Sequence, residues 1–80
     1  MATRVLIIDD DRDTADFLKV LVESRGDVAR TASDAAQARD ALRSWRPEAA
    51  LMDLMLPDAD GIDLLKDFKE ASPETLVIMV

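Results

Sequence analysis

Residues 5 to 8, Val-Leu-Ile-Ile, are apolar without a break and stop on three carboxylates in a row, Asp9, Asp10 and Asp11. A short run of branched apolar residues bounded in this way reads as a strand buried on both faces, because a strand with one wet face would alternate. Such a strand needs cover from above and below, and that demands helices between parallel neighbours. The rest of the chain supplies them. From about Arg12 to Arg25 the apolar positions Ala15, Leu18 and Val22, with Phe17 and Leu21 beside them, fall at helical spacing, and Gly26 provides a stop. Asp11 or Asp13 is placed to cap the first turn of this helix.

Val28 to Ala32 reads as a weaker strand. Ser33 is expected to cap a second helix with a narrow stripe of Ala35, Ala38, Ala41 and Leu42. Arg46 precedes Pro47 and is driven out of helical geometry, after which Ala49 to Met52 forms a third apolar run ending at Asp53. Leu56-Pro57-Asp58-Ala59-Asp60-Gly61 is turn chemistry. Ile62, Leu65 and Phe68, with Leu64 and Ala71 alongside, predict a third helix up to Ser72-Pro73, and Leu76 to Val80 a fourth buried strand. Strict alternation of strands and helices predicts an α/β fold with a doubly wound parallel sheet and right-handed crossovers.

Eighty residues make one domain at most, and a chain of this size buries only about 60% of the surface it exposes when unfolded. Ten basic against 17 acidic residues give a net charge of −7, which repels phosphate backbones and anionic membranes, so direct nucleic-acid or membrane binding is not expected. No apolar stretch approaches the roughly 20 residues of a membrane span. The absence of Cys and His removes thiolate and imidazole metal sites and every His-dependent nucleophile. With no secretory signal pattern at the N-terminus, an intracellular location is expected.

Carboxylates are the reactive groups that remain. In open α/β sheets ligands bind beyond the carboxyl ends of the strands, where Asp9, Asp10 and Asp53 fall on strands 1 and 3. If those strands are neighbours the three share one shallow pocket, and all-oxygen ligation suits a hard ion, Mg²⁺ or Mn²⁺. Each motif also has a plainer reading, since an acidic run after a strand often serves only as a helix cap. Asp58, Asp60 and Asp63 are read as solvated turn and helix-start residues. Met52, Met55 and Met79 are read as filling, and Trp45 as a half-buried cover on the second helix.

Val5 to Asp11 together with Met52-Asp53-Leu54-Met55-Leu56-Pro57-Asp58-Ala59-Asp60-Gly61 resemble the receiver domain of bacterial two-component response regulators. The resemblance spans the whole chain and implies the flavodoxin-like strand order, here 2-1-3-4. It further implies that Asp53 is the phosphoacceptor, Asp10 a direct Mg²⁺ ligand and Asp9 a ligand acting mainly through water, with Met55 contributing its backbone carbonyl. Gly61 would permit a tight turn and Pro57 stiffen the loop. The implied partners are a sensor histidine kinase and an output domain, DNA-binding or other, outside this chain. The implied setting is the cytoplasm.

In this family a Ser or Thr just past strand 4 and a Lys ending strand 5 contact the phosphoryl group. Neither falls within residues 1–80, so the chain reads as a single partial domain lacking the fifth strand and last two helices. From this follow two expectations: weak phosphorylation of the 80-residue form, and its association into a homodimer. The function expected is phosphorelay signalling rather than enzymatic turnover. The alternative is a non-phosphorylated binding or oligomerisation module. A dehalogenase-type phosphatase would want a second Asp two residues after the first, where this chain has Met55.

Overall fold

The computed structural model describes residues 2–80. Its elements run β1 (Arg4–Ile8), α1 (Arg12–Ser24), β2 (Val28–Ala32), α2 (Ala35–Trp45), β3 (Ala49–Met52), α3 (Gly61–Ala71) and β4 (Leu76–Met79). All pairings between these strands are parallel and the sheet order is β2-β1-β3-β4, the doubly wound arrangement that the alternation and the family resemblance imply. β1 lies second in the sheet with a neighbour on each side, and Val5, Leu6, Ile7 and Ile8 are all buried. Its unbroken apolar run answers to that position.

Alternate residues feed two cores. Leu6, Ile8, Ala50 and Met52 face α2 and α3, where Ala35, Ala38, Leu42, Leu64 and Phe68 close over them. Val5, Ile7 and Ala29 face α1, which offers Ala15 with Leu18 and Val22 packed beside it. The alanines on α2 bring that helix close to the sheet, as their small size requires. On α3 the inward row is Leu64 and Phe68, an i, i+4 pair, while Ile62 is 46% exposed. The expected Ile62–Leu65–Phe68 stripe is thus turned by a fraction of a turn, with Leu64 rather than Ile62 facing the core.

Three further expectations are corrected. α2 is capped by Asp34, not Ser33, because the Asp34 carboxylate takes the Gln37 N–H while the Gln37 side chain reaches back to the Ser33 N–H and hydroxyl. β4 lies at the edge, as the order 2-1-3-4 without a fifth strand implies, so its apolar run is not buried: Leu76, Ile78 and Val80 are 59%, 46% and 63% exposed. Register explains why, since Leu76 and Ile78 lie level with Ala49 and Leu51 on the α1 side of the sheet, beyond the strands that α1 covers. Gly61 serves the turn before α3 through a close approach described below and not through a positive φ.

Arg46 does leave helical geometry, through the left-handed region (φ 53°, ψ 67°). The Arg4 guanidinium from β1 holds this exit by donating to the carbonyls of Trp45 and Arg46 at 2.9–3.1 Å. Trp45 is half-buried against the α2–α3 core and carries the Arg30 guanidinium over its ring at 5.0 Å.

Candidate metal and phosphoryl site

β1 and β3 are neighbours, with Ile8 level with Met52, so the next residue on each strand, Asp9 and Asp53, emerges side by side from the carboxyl edge. The ladder continues past the strand ends: the Asp53 N–H donates to the Ile8 carbonyl at 2.9 Å and the Asp9 N–H to the Ala32 carbonyl at 3.0 Å. Both aspartates are therefore held by backbone bonds to an adjacent strand before their side chains contact anything. Asp10 follows Asp9 into solvent. One carboxylate oxygen from each of Asp9, Asp10 and Asp53 can be chosen so that all lie within 4.8 Å of one another.

Local hydrogen bonds orient these groups. The Asp11 N–H donates to Asp9 Oδ1 at 2.9 Å and the Met55 N–H to Asp53 Oδ1 at 3.2 Å. Asp11 also caps α1, accepting from the Asp13 N–H and the Thr14 hydroxyl, so of the three consecutive aspartates the last is used by the helix and the first two by the cluster. The Asp9 carboxyl is raised above the ordinary carboxylate range, first by partial burial and then by the neighbouring Asp53 and Asp10, against the Asp11 N–H that favours its charged form. Crowded carboxylates of this kind are relieved by a cation, and an all-oxygen donor set with no sulfur or nitrogen fits a hard divalent ion.

Residues 53–60 form a loop pinched at its neck. The Gly61 N–H donates to the Leu54 carbonyl at 2.9 Å and Met55 bridges antiparallel to Asp60. A Cβ on Gly61 would stand 2.7 Å from Leu54 Cα and the Leu54 carbonyl oxygen and 2.9 Å from that of Asp53, so only glycine fits. Met55 is 79% exposed in this loop, so unlike Met52 it fills no part of the core. Asp60 caps α3. Asp58 was expected to be a solvated turn residue; although exposed, its carboxylate accepts the Ala35 N–H at 2.7 Å and the Ala36 N–H at 3.2 Å, at the start of α2. No local sequence signal announces that contact, because its partner lies 23 residues away.

The response regulator receiver domain family matches residues 5–80 of this chain. The chain belongs to that family. The DNA-binding response regulator MtrA of Mycolicibacterium paratuberculosis is 34% identical over 79 residues, covering 99% of this chain and 35% of that protein. The response regulator MprA of Mycobacterium bovis is 28% identical over 80 residues, again 35% of its length. Among solved structures, a CheY-like receiver domain protein from Methanospirillum hungatei superposes with a TM-score of 0.96 at 30% identity, over 99% of this chain and 63% of its own. NtrX from Brucella abortus gives a TM-score of 0.93 at 33% identity over 99% of this chain and 18% of its own. The chain therefore spans about a third of the length of MtrA and MprA. Receiver membership agrees with the flavodoxin-like topology and with the acidic cluster at the carboxyl edge of the sheet. Among the described residues no helix is long and apolar enough to cross a membrane.

Proposed function

We propose that this receiver takes a phosphoryl group onto Asp53 from a phosphohistidine of a sensor kinase in the cytoplasm, with Mg²⁺ or Mn²⁺ held by Asp9, Asp10, Asp53 and the Met55 carbonyl. The observation that supports it most is the convergence of three carboxylates within 4.8 Å at the ends of adjacent strands in a receiver fold. A bound divalent cation supplies charge neutralisation between the carboxylate and the incoming phosphoryl group, which would otherwise repel each other.

The chain's own residues do the rest. The Met55 N–H engages Asp53 Oδ1 and so presents Oδ2 as the nucleophile. As Oδ2 forms its bond to phosphorus, the P–N bond of the donor breaks and the imidazole nitrogen keeps the electron pair. Asp9, crowded by Asp53 and Asp10, is relieved by the arrival of positive charge. The product is an acyl phosphate that alters the charge of the edge and the set of the 53–60 loop, which an output domain elsewhere in the protein reads. The receiver itself turns over no further substrate. Its net charge of −7 keeps it off nucleic acid, so DNA contact falls to the output domain.

The test has two parts. Calorimetric titration should give a single weak Mg²⁺ site that Asp10→Ala removes. A form extended through a fifth strand, given a small phosphodonor and Mg²⁺, should gain one phosphoryl group by intact mass, and Asp53→Asn should gain none. Labelling that survives Asp53→Asn, or equal Mg²⁺ binding in Asp10→Ala, refutes the assignment.

A further inference from the structure

The first turn of α2 presents the N–H groups of Ala35, Ala36 and Gln37, and its own cap serves only one of them: Asp34 accepts from Gln37 at 2.8 Å. The other two go to Asp58, which spans them with both carboxylate oxygens, Oδ1 to Ala35 at 2.7 Å and Oδ2 to Ala36 at 3.2 Å. A carboxylate bridging two consecutive amides at the positive end of a helix is fixed in orientation as well as position. These contacts, the Ala35 N–H foremost, hold the Asp58 carboxyl below its ordinary value.

Asp58 sits in the loop that leaves Asp53. The neck of that loop is closed on itself by the Gly61 to Leu54 bond and the Met55–Asp60 bridge. Asp58 adds an attachment of a different kind, to another helix on the same face of the sheet. We propose that Asp58 is a positioning residue that pins the 53–60 loop to the N-terminus of α2 and thereby fixes how Asp53 and the Met55 carbonyl face Asp9 and Asp10. This rests on the reading of those residues as the metal and phosphoryl site. The loop is then tied to α2 through Asp58 itself, so the acidic cluster answers to loss of that contact and not to the stability of the helix.

Two variants separate positioning from simple helix stability. Asp58→Ala removes the pin, whereas Asp34→Ala removes the helix's own cap and leaves the loop untouched. Asp58→Ala should weaken Mg²⁺ binding on the order of 10-fold, the effect of losing a residue that orients ligands, and Asp58→Asn, which keeps an acceptor, should recover part of it. Asp34→Ala should lower the melting temperature and leave Mg²⁺ affinity where it was. Amide hydrogen exchange at Gly61 reads the loop without metal, and its protection should fall in Asp58→Ala alone. Unchanged Gly61 protection in Asp58→Ala overturns the pin whatever the affinity, and an equal loss of affinity in Asp34→Ala overturns the positioning role. A wild-type chain that binds no Mg²⁺, with Gly61 protection still lost in Asp58→Ala, refutes the metal reading and upholds the pin.

Discussion

Replacing Gly61 with Ala adds one methyl group at the place where α3 begins against the back of the Asp53 loop. The new Cβ would meet Leu54 Cα at 2.7 Å, the Leu54 carbonyl oxygen at 2.7 Å and the Asp53 carbonyl oxygen at 2.9 Å. All three are backbone atoms, so no side chain can rotate out of the way and the loop or the helix must move. Overpacking of this kind costs about 1–3 kcal/mol, and the entropy that Ala removes from the unfolded chain returns only about 0.4–1 kcal/mol. The shift also threatens the Gly61 to Leu54 hydrogen bond, worth roughly 1 kcal/mol, which places the net loss near 2 kcal/mol. For a domain of this size that is a fall of about 8–16 °C in melting temperature, at roughly 4–8 °C per kcal/mol. Thermal unfolding followed by circular dichroism measures it. Gly26→Ala is the control, because nothing lies within 4 Å of its Cβ position and only its φ of +87° opposes the change. If Gly61→Ala melts with the wild type, the close approach between helix and loop is not as described.

Two further outcomes follow from charge and from edges. The Asp9 carboxyl is raised in the folded state, so its effect on stability is most favourable below the carboxyl's ordinary value of 3.8 and is lost as pH rises through the higher folded value. Asp9→Asn should therefore raise the melting temperature at pH 7 in chelator and make little difference at pH 3; a variant less stable than wild type at pH 7 without cation contradicts the crowding argument. β4, with no charge or proline in Leu76–Met79 and one free side, should draw 80-residue chains into a dimer, whereas the other edge, β2, carries the exposed Arg30. Light scattering over a dilution series measures this, and a cooperatively melting monomer at micromolar concentration refutes it.

What sequence reveals here is whatever repeats along the chain. β1 and β3 were legible because their apolar runs end on aspartates, and the juxtaposition of Asp9 with Asp53 followed once the strands were neighbours. The stripe of Ala35, Ala38 and Leu42 was legible for the same reason, as was the stop at Gly26. Contacts between distant segments left no periodic trace. Asp58 reads as any turn aspartate until α2 is seen behind it, and Thr75 gives no hint that its hydroxyl, buried beside Ser72, donates to the Pro47 carbonyl 28 residues away. Ser33 and Asp34 have the same capping chemistry, and only Gln37, three residues past Asp34, distinguishes them. The exposure of Leu76 and Ile78 depends on how far α1 reaches across the sheet, which the composition of β4 does not encode.

Because the backbone ladder runs on past the strand ends to Asp9 and Asp53, the main chains from which those two side chains leave are held one strand spacing apart, about 4.8 Å, before any side chain packs. The site thus takes its first ruler from the backbone, and local hydrogen bonds then set how the carboxylates turn. Helices may drift in sequence, lose a cap or turn a fraction on their axes, and the two aspartates still leave the sheet one strand apart. Agreement at a TM-score of 0.96 with a receiver only 30% identical is the outcome such a ruler allows. Sequence around the pair can thus differ widely while the strand spacing beneath it stays the same.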